Sequence, residues 1–173
     1  MPFLGLAWWA LDFPFMKRYS KAFLEKNPHL TGKDIEATRK ACERFKHQPV
    51  SVMNFVEGTR FTQEKKRQQD SPFNDLLKVK AGGIAFVLDA MGDSMKSILD
   101  VTLVYSDKIP TLMDLFAGRI RYVQLDIVER PITSDLIGDY ENDAEFRQRF
   151  QTWLNNLWLE KQATIDRLKK EIP

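Results

Sequence analysis

A long amphipathic stripe near the C-terminus constrains the fold of this 173-residue chain more than any other feature. From about Asp143 to Lys170, apolar residues recur at helical spacing. They are Phe146, Phe150, Trp153, Leu154, Leu157, Ile165 and Leu168. Because such a helix is stable only when its apolar face is buried, the pattern predicts a long C-terminal helix packed on a sheet. For the aromatic part of the stripe, which includes Trp158, a bilayer surface is the alternative partner.

Short apolar runs between helical patterns predict the sheet. Strands are predicted at 50–56, 98–105 and 120–128, with Pro131 ending the last, and helices at 34–45, 84–91 and 110–118. The charged, glutamine-rich stretch 61–73 has no period and predicts a surface loop. Helices that alternate with strands predict an α/β class. We therefore expect one domain over residues 1–173, with a mixed sheet flanked by helices and a long C-terminal helix.

Composition excludes several classes of protein. With 43% apolar and 29% charged residues, the chain is too hydrophobic for intrinsic disorder, and its net charge of +2 gives no indication of nucleic-acid binding. The single cysteine excludes an internal disulfide, and no cluster of His, Cys, Asp and Glu has metal-ligand spacing. Basic clusters at 65–67 and 167–170 are interpreted as solvated faces or as contacts with an anionic membrane.

The apolar segment 1–15 is a further candidate for membrane contact. Asp12 and Pro14 interrupt it, and it is shorter than the ~20 residues that a membrane-spanning helix needs. Its aromatic residues Trp8, Trp9, Phe13 and Phe15 suit either a membrane interface or a protein core. Both interpretations stay open at this point.

The block 57–60 follows the first predicted strand and carries residue types suited to binding anions. Gly58 allows a tight turn, Thr59 offers a hydroxyl, and Arg60 offers a planar fork for phosphate or carboxylate. Glu57 can hold Arg60 or accept a hydrogen bond from a substrate hydroxyl. On these residues alone, the block is either a charged turn with an internal salt bridge or an anion site.

The order of several blocks resembles one known family. Residues 55–60, Phe-Val-Glu-Gly-Thr-Arg, resemble the Phe-Pro-Glu-Gly-Thr-Arg block of the glycerolipid acyltransferases, which include 1-acylglycerol-3-phosphate acyltransferase. Residues 13–18, ending in Arg18, are similar to the arginine block of that family, and 77–86 and 100–105 are similar to later blocks. The resemblance runs in order from residue 1 to about residue 106, with Val56 in place of the proline of the family block.

The resemblance implies a fold like that of glycerol-3-phosphate acyltransferase and a specific reaction. An acyl chain would pass from acyl-CoA or acyl carrier protein to a lysophospholipid, with 1-acylglycerol-3-phosphate as the expected acceptor, in phospholipid synthesis or remodelling. Arg18, Glu57, Gly58, Thr59 and Arg60 would hold the phosphate head group. The resemblance implies no cofactor beyond the acyl donor, and it implies membrane association at the cytoplasmic face, as at a bacterial inner membrane.

The histidines do not match the family pattern. The general base of the family is the histidine of a His-x4-Asp block that precedes the arginine block. His29 and Asp34 have that spacing, but they follow Arg18, and Pro28 before them indicates a turn and a helix start. We therefore assign no catalytic residue and no metal, and expect the catalytic block and the membrane anchor upstream of residue 1. The alternative is a catalytically inactive protein that binds lipid or membrane.

Overall fold

The computed structural model describes residues 50–106 and 109–172. Arg18, both histidines, the apolar segment 1–15 and the helix predicted at 34–45 lie outside the described residues. The elements in chain order are α1 (Gln63–Gln69), α2 (Ala81–Met91), β1 (Ser97–Tyr105), α3 (Leu112–Phe116), β2 (Val123–Pro131) and α4 (Ala144–Glu171), with 3-10 turns at Gly92–Ser94 and Ser134–Leu136. Helices and a sheet thus form one small domain of the predicted α/β class.

The described sheet is an antiparallel pair of β1 and β2. The register runs from Ser97 opposite Pro131 to Tyr105 opposite Val123. The strand predicted at 98–105 is confirmed, and the one predicted at 120–128 begins and ends three residues later. Parallel pairing does not occur between the two described strands, so the mixed sheet stays a prediction.

The two faces of this sheet differ in burial. On the face toward the core, Thr102 and Val104 of β1 are buried. The other face is apolar yet 45–62% exposed, and it is formed by Leu99, Val101, Leu103, Leu125 and Ile127. Alternation along each strand therefore places one set of side chains in the core and leaves an apolar set accessible.

The predicted C-terminal helix is confirmed as α4, which is 28 residues long. Its N-cap residue Asp143 accepts hydrogen bonds from the backbone N–H groups of Glu145 and Phe146, both at 2.9 Å. These bonds satisfy donors that have no partner within the helix. Six of the seven stripe residues are buried, and Trp153 is half-buried.

Helix α4 forms the common wall of two hydrophobic clusters. Its N-terminal half, including Phe150 and Leu154, packs with Ala85 and Leu88 of α2. Its C-terminal half, including Leu157 and Trp158, packs with Phe73, Leu76 and Val104. Each fully buried large apolar side chain contributes about 1.5–3 kcal/mol, so the stripe is the main source of tertiary stability in the described part.

A buried ion pair joins α4 to β1. Lys161 lies on the buried face of α4, and its Nζ is 2.5 Å from Asp100 Oδ1. The same ammonium donates to Val101 O at 3.1 Å and to Thr102 Oγ1 at 3.0 Å. Arg130 of β2 also contacts Asp100, at 3.4 Å. These contacts satisfy a cation that would otherwise be costly to bury.

Two predictions about local structure are wrong. Residues 50–55 form no strand, and Val52, Met53 and Phe55 are 43–81% exposed. An apolar run becomes a strand only when a second strand pairs with it, and the described strands β1 and β2 pair with each other. The predicted loop 61–73 contains helix α1.

Helix α1 forms without burying any of its residues because local hydrogen bonds stabilise it. Its N-cap Thr62 accepts from Lys65 N–H at 3.2 Å, and Gln68 donates to Glu64, four residues earlier, at 3.1 Å. Asp70 ends the helix in the left-handed conformation. An apolar period cannot reveal such a helix, because its stability comes from its caps and polar pairs.

We expect Lys161→Met to lower the free energy of unfolding by about 3 kcal/mol, because it leaves Asp100 buried with Arg130 as its remaining cation. Lys169→Met is the matched control. It removes an ion pair with Asp75 whose side chains are 48% and 30% exposed, so a loss of at most about 1 kcal/mol is expected. Urea unfolding followed by tryptophan fluorescence measures both. Equal losses in the two variants would contradict a structural role for the buried pair.

Candidate functional site

The site residues predicted at 57–60 form a turn that is fixed to the start of α2. Gly58 has a φ of +69°, a conformation that residues with a Cβ rarely adopt, and its N–H donates to Phe55 O at 2.8 Å. Lys80, the N-cap residue of α2, donates its N–H to Val56 O at 2.8 Å. The turn is therefore held in place although 50–55 is not a strand.

Glu57 faces the interior. Its carboxylate accepts a hydrogen bond from Leu77 N–H at 2.9 Å, and Leu77 O accepts one from the Trp158 indole at 3.1 Å. Burial raises the pKa of Glu57 above its ordinary value of 4.5, although hydrogen bonds from Leu77 and Trp158 and the charge of Lys161 oppose this. The carboxylate thus anchors the turn to the core instead of pairing with Arg60.

Two lysines contact the turn and an arginine belongs to it, and we call the three residues the turn cations: Arg60, Lys65 and Lys80. Lys65 Nζ donates to Thr59 Oγ1 at 2.7 Å and to Arg60 O at 3.2 Å. The Lys80 side chain crosses Gly58, where a Cβ would lie 3.1 Å from Lys80 Cδ and 3.5 Å from its Nζ. The Arg60 side chain is exposed.

This arrangement suits a phosphate group. Lys65 and Lys80 contact the turn, the Arg60 side chain is exposed, and the Glu57 carboxylate is directed inward. Lys65 uses two of its three N–H donors on the turn and retains one. Charge-assisted hydrogen bonds from such groups are stronger than neutral ones, so the turn cations can hold a dianion.

The sequence predicted the consecutive residues of the turn but not their partners. Arg18, the other predicted phosphate ligand, lies outside the described residues. In the sequence, Lys65 belongs to a basic cluster and to the stretch 61–65 that continues the resemblance of the block. The signal for its position is the N-cap Thr62, which starts the helix that carries Lys65 back over the turn. Lys80 and Leu77 had no signal of their own, since only folding brings them to the turn.

The described residues contain no histidine and no cluster of candidate metal ligands. In residues 50–106 and 109–172, no three of the His, Cys, Asp and Glu side chains come together as metal ligands would. A cavity of about 500 Å³ opens between 72–81 and α4, and its lining contains neither a carboxylate nor an imidazole. No helix in the described part is long and apolar enough to cross a membrane.

Comparison with known proteins gives one informative similarity. The chain is 27% identical over 180 aligned residues to 1-acyl-sn-glycerol-3-phosphate acyltransferase 3 of Arabidopsis thaliana. The alignment covers 96% of this chain and 43% of that protein, so the chain spans less than half the length of this relative. No protein-family profile and no solved structure matches the chain. The chain is thus distantly similar to an acyltransferase of glycerophospholipids.

We expect the stability of the protein to depend on pH through Glu57. Because its pKa is raised on folding, the folded state binds this proton more tightly than the unfolded chain does, and ionisation favours unfolding. The contribution of Glu57 to stability therefore falls as the pH rises from 4.5 through the folded pKa. Glu57→Gln keeps an oxygen acceptor for Leu77 N–H and cannot ionise, so it should gain stability relative to wild type across this window.

Urea unfolding at a series of pH values measures this difference. Glu57→Leu is the control, since it removes both the ionisation and the acceptor. The stability of Glu57→Leu relative to wild type should rise with pH as that of Glu57→Gln does. Its free energy of unfolding should lie about 1–3 kcal/mol below that of Glu57→Gln throughout, because Leu77 N–H loses its partner. A difference between Glu57→Gln and wild type that does not change with pH would contradict the raised pKa.

Proposed function

We propose that this chain belongs to an acyltransferase that transfers an acyl chain from acyl-CoA or acyl carrier protein to a lysophospholipid, with 1-acylglycerol-3-phosphate as the preferred acceptor. The observation that carries the proposal is the turn 57–60, whose acid is directed inward, whose Arg60 side chain is exposed, and which Lys65 and Lys80 contact. The similarity to an acyltransferase of 1-acyl-sn-glycerol-3-phosphate supports the same substrate class.

In the proposed reaction, the turn positions the acceptor. Arg60, Lys65 and Lys80 contact the phosphate, while Glu57 and Gly58 keep the turn in shape. The free hydroxyl of the glycerol then attacks the thioester carbonyl, its proton passes to a general base, and the thiol of the donor leaves as the ester forms. Holding a hydroxyl at a fixed distance from the base and thioester lowers the entropic part of the barrier.

The proposed general base is a histidine, and both histidines of the chain lie outside the described residues. We assign this role to a His-x4-Asp block preceding the arginine block, and not to His29. Membrane association at the cytoplasmic face belongs to the same proposal, since both lysophospholipid and product reside in a bilayer. Arg18 is proposed as a further phosphate ligand.

We expect Arg60→Ala to raise the KM for 1-acylglycerol-3-phosphate by about 10- to 100-fold, since a hydrogen bond to a charged group contributes about 1.5–3 kcal/mol. The change in kcat should be smaller, because the residue binds the phosphate in the ground state as well. The assay uses oleoyl-CoA and the acceptor in detergent micelles, with an active form that includes a His-x4-Asp block. Arg67→Ala is the matched control, because Arg67 is an exposed arginine in the last turn of α1.

Unchanged acceptor KM in Arg60→Ala would exclude phosphate binding by the turn. The same assay locates the base when this chain, its His29→Ala variant and an upstream-extended form are compared. Turnover in the extended form alone would support the assignment and leave His29 without a role. If this chain without extension turns over substrate and His29→Ala abolishes the activity, His29 is the base. The order of blocks inferred from the family resemblance is then wrong.

A further inference from the structure

The connection between β1 and β2 presents an unusual apolar surface. Six of its large side chains are 51–78% exposed, and together they define what we call the apolar tip: Ile109, Leu112, Met113, Leu115, Phe116 and Tyr122. Four of them lie on the five-residue helix α3. A short segment with so many exposed apolar side chains indicates a surface that binds a protein or a membrane.

Helix α3 is held by polar contacts, which leaves its apolar side chains free to face outward. Thr111 and Asp114 form a reciprocal capping box, in which Thr111 N–H donates to Asp114 Oδ2 at 2.9 Å and Asp114 N–H donates to Thr111 Oγ1 at 3.2 Å. Asp114 is the buried residue of this helix. Gly118, with a φ of +63°, lets the chain turn back, and Arg119 N–H donates to Asp114 O at 2.9 Å.

In the described part of this connection, residues 109–122, the exposed charged side chains are arginines. Asp114 is the single acidic residue of 109–122, and its side chain is 9% exposed and lies 3.3 Å from Arg119 Nη1. The Arg119 side chain is 70% exposed, and Arg121 is exposed as well. Among the described residues 109–122, the surface presents leucine, methionine, phenylalanine and tyrosine bordered by arginines, with no exposed acid. This is the composition of a segment that enters an anionic lipid interface.

We propose that the apolar tip docks the protein on an anionic phospholipid bilayer. Leu112, Met113 and Phe116 enter the boundary between head groups and acyl chains, Arg119 and Arg121 contact lipid phosphates, and Tyr122 lies at head-group depth. A second copy of the chain docked tip to tip would instead bring arginines against arginines. The proposal specifies the membrane contact that the proposed function requires, and vesicle measurements test it without acyl transfer, so that failure of the two is distinguishable.

A fluorescent label at the tip tests the insertion directly. In a Cys42→Ser background, Phe116→Cys is labelled with an environment-sensitive nitrobenzoxadiazole dye and mixed with phosphatidylcholine vesicles that contain phosphatidylglycerol. The matched control carries the label at Leu159→Cys, which replaces another exposed apolar residue, 59% accessible, on α4. We expect a blue shift and stronger emission at position 116 and little change at position 159. Because the label reports its own surroundings, vesicle binding by another part of the chain does not confound it.

Vesicle cosedimentation measures the contribution of each part. Met113→Asp combined with Phe116→Asp should weaken binding at least tenfold, because two large apolar groups no longer leave water. Arg119→Gln combined with Arg121→Gln should weaken binding by about tenfold or more, and only to vesicles that contain phosphatidylglycerol. Leu159→Asp should bind like wild type. Failure of the wild-type chain to bind, or binding with the label at 116 still in water, would overturn the proposal.

Discussion

The described structure depends on two residues of α4, one turn apart, that reach into different parts of the domain. The Trp158 indole donates to Leu77 O, and Leu77 N–H donates to Glu57, so the helix holds the turn 57–60 through one intermediate residue. Lys161 pairs with Asp100 and thereby attaches β1 to the same helix. A buried charge and a buried indole N–H both require partners, and these partners fix the helix in one position.

The orientation of Glu57 determines the electrostatics of the turn. A carboxylate on the outer side would repel a phosphate, whereas burial of this group leaves Arg60, Lys65 and Lys80 as the charges that an incoming anion meets. Glu57 and Arg60 belong to the same turn, yet they serve different purposes. Glu57 stabilises the scaffold, and the cations are available to bind.

The sequence predictions were correct for elements that local spacing or local start and stop signals specify, and wrong for elements that depend on other interactions. Helix α4 was predicted from its stripe, and β1 from its β-branched residues, because an apolar period reports burial on one face. The short helix predicted between Pro110 and Gly118 is α3, which spans Leu112–Phe116 and lies between these two local signals. The strand predicted at 50–56 was wrong because a strand requires a paired partner, and helix α1 was missed because its stability rests on caps and polar pairs.

The sequence alone therefore determined the long helix, the two strands of the hairpin and the residue types of the turn, since these follow from local spacing and backbone preference. Tertiary structure decided which side of the turn is charged. Glu57 finds its partner 20 residues away, and the Trp158 indole that completes the connection bonds a residue 81 positions from it. Tertiary structure also decided that Lys161 is buried while Phe116 is exposed, the reverse of their hydrophobic order. Burial depends on which partners folding brings together, and a local sequence pattern does not contain that information.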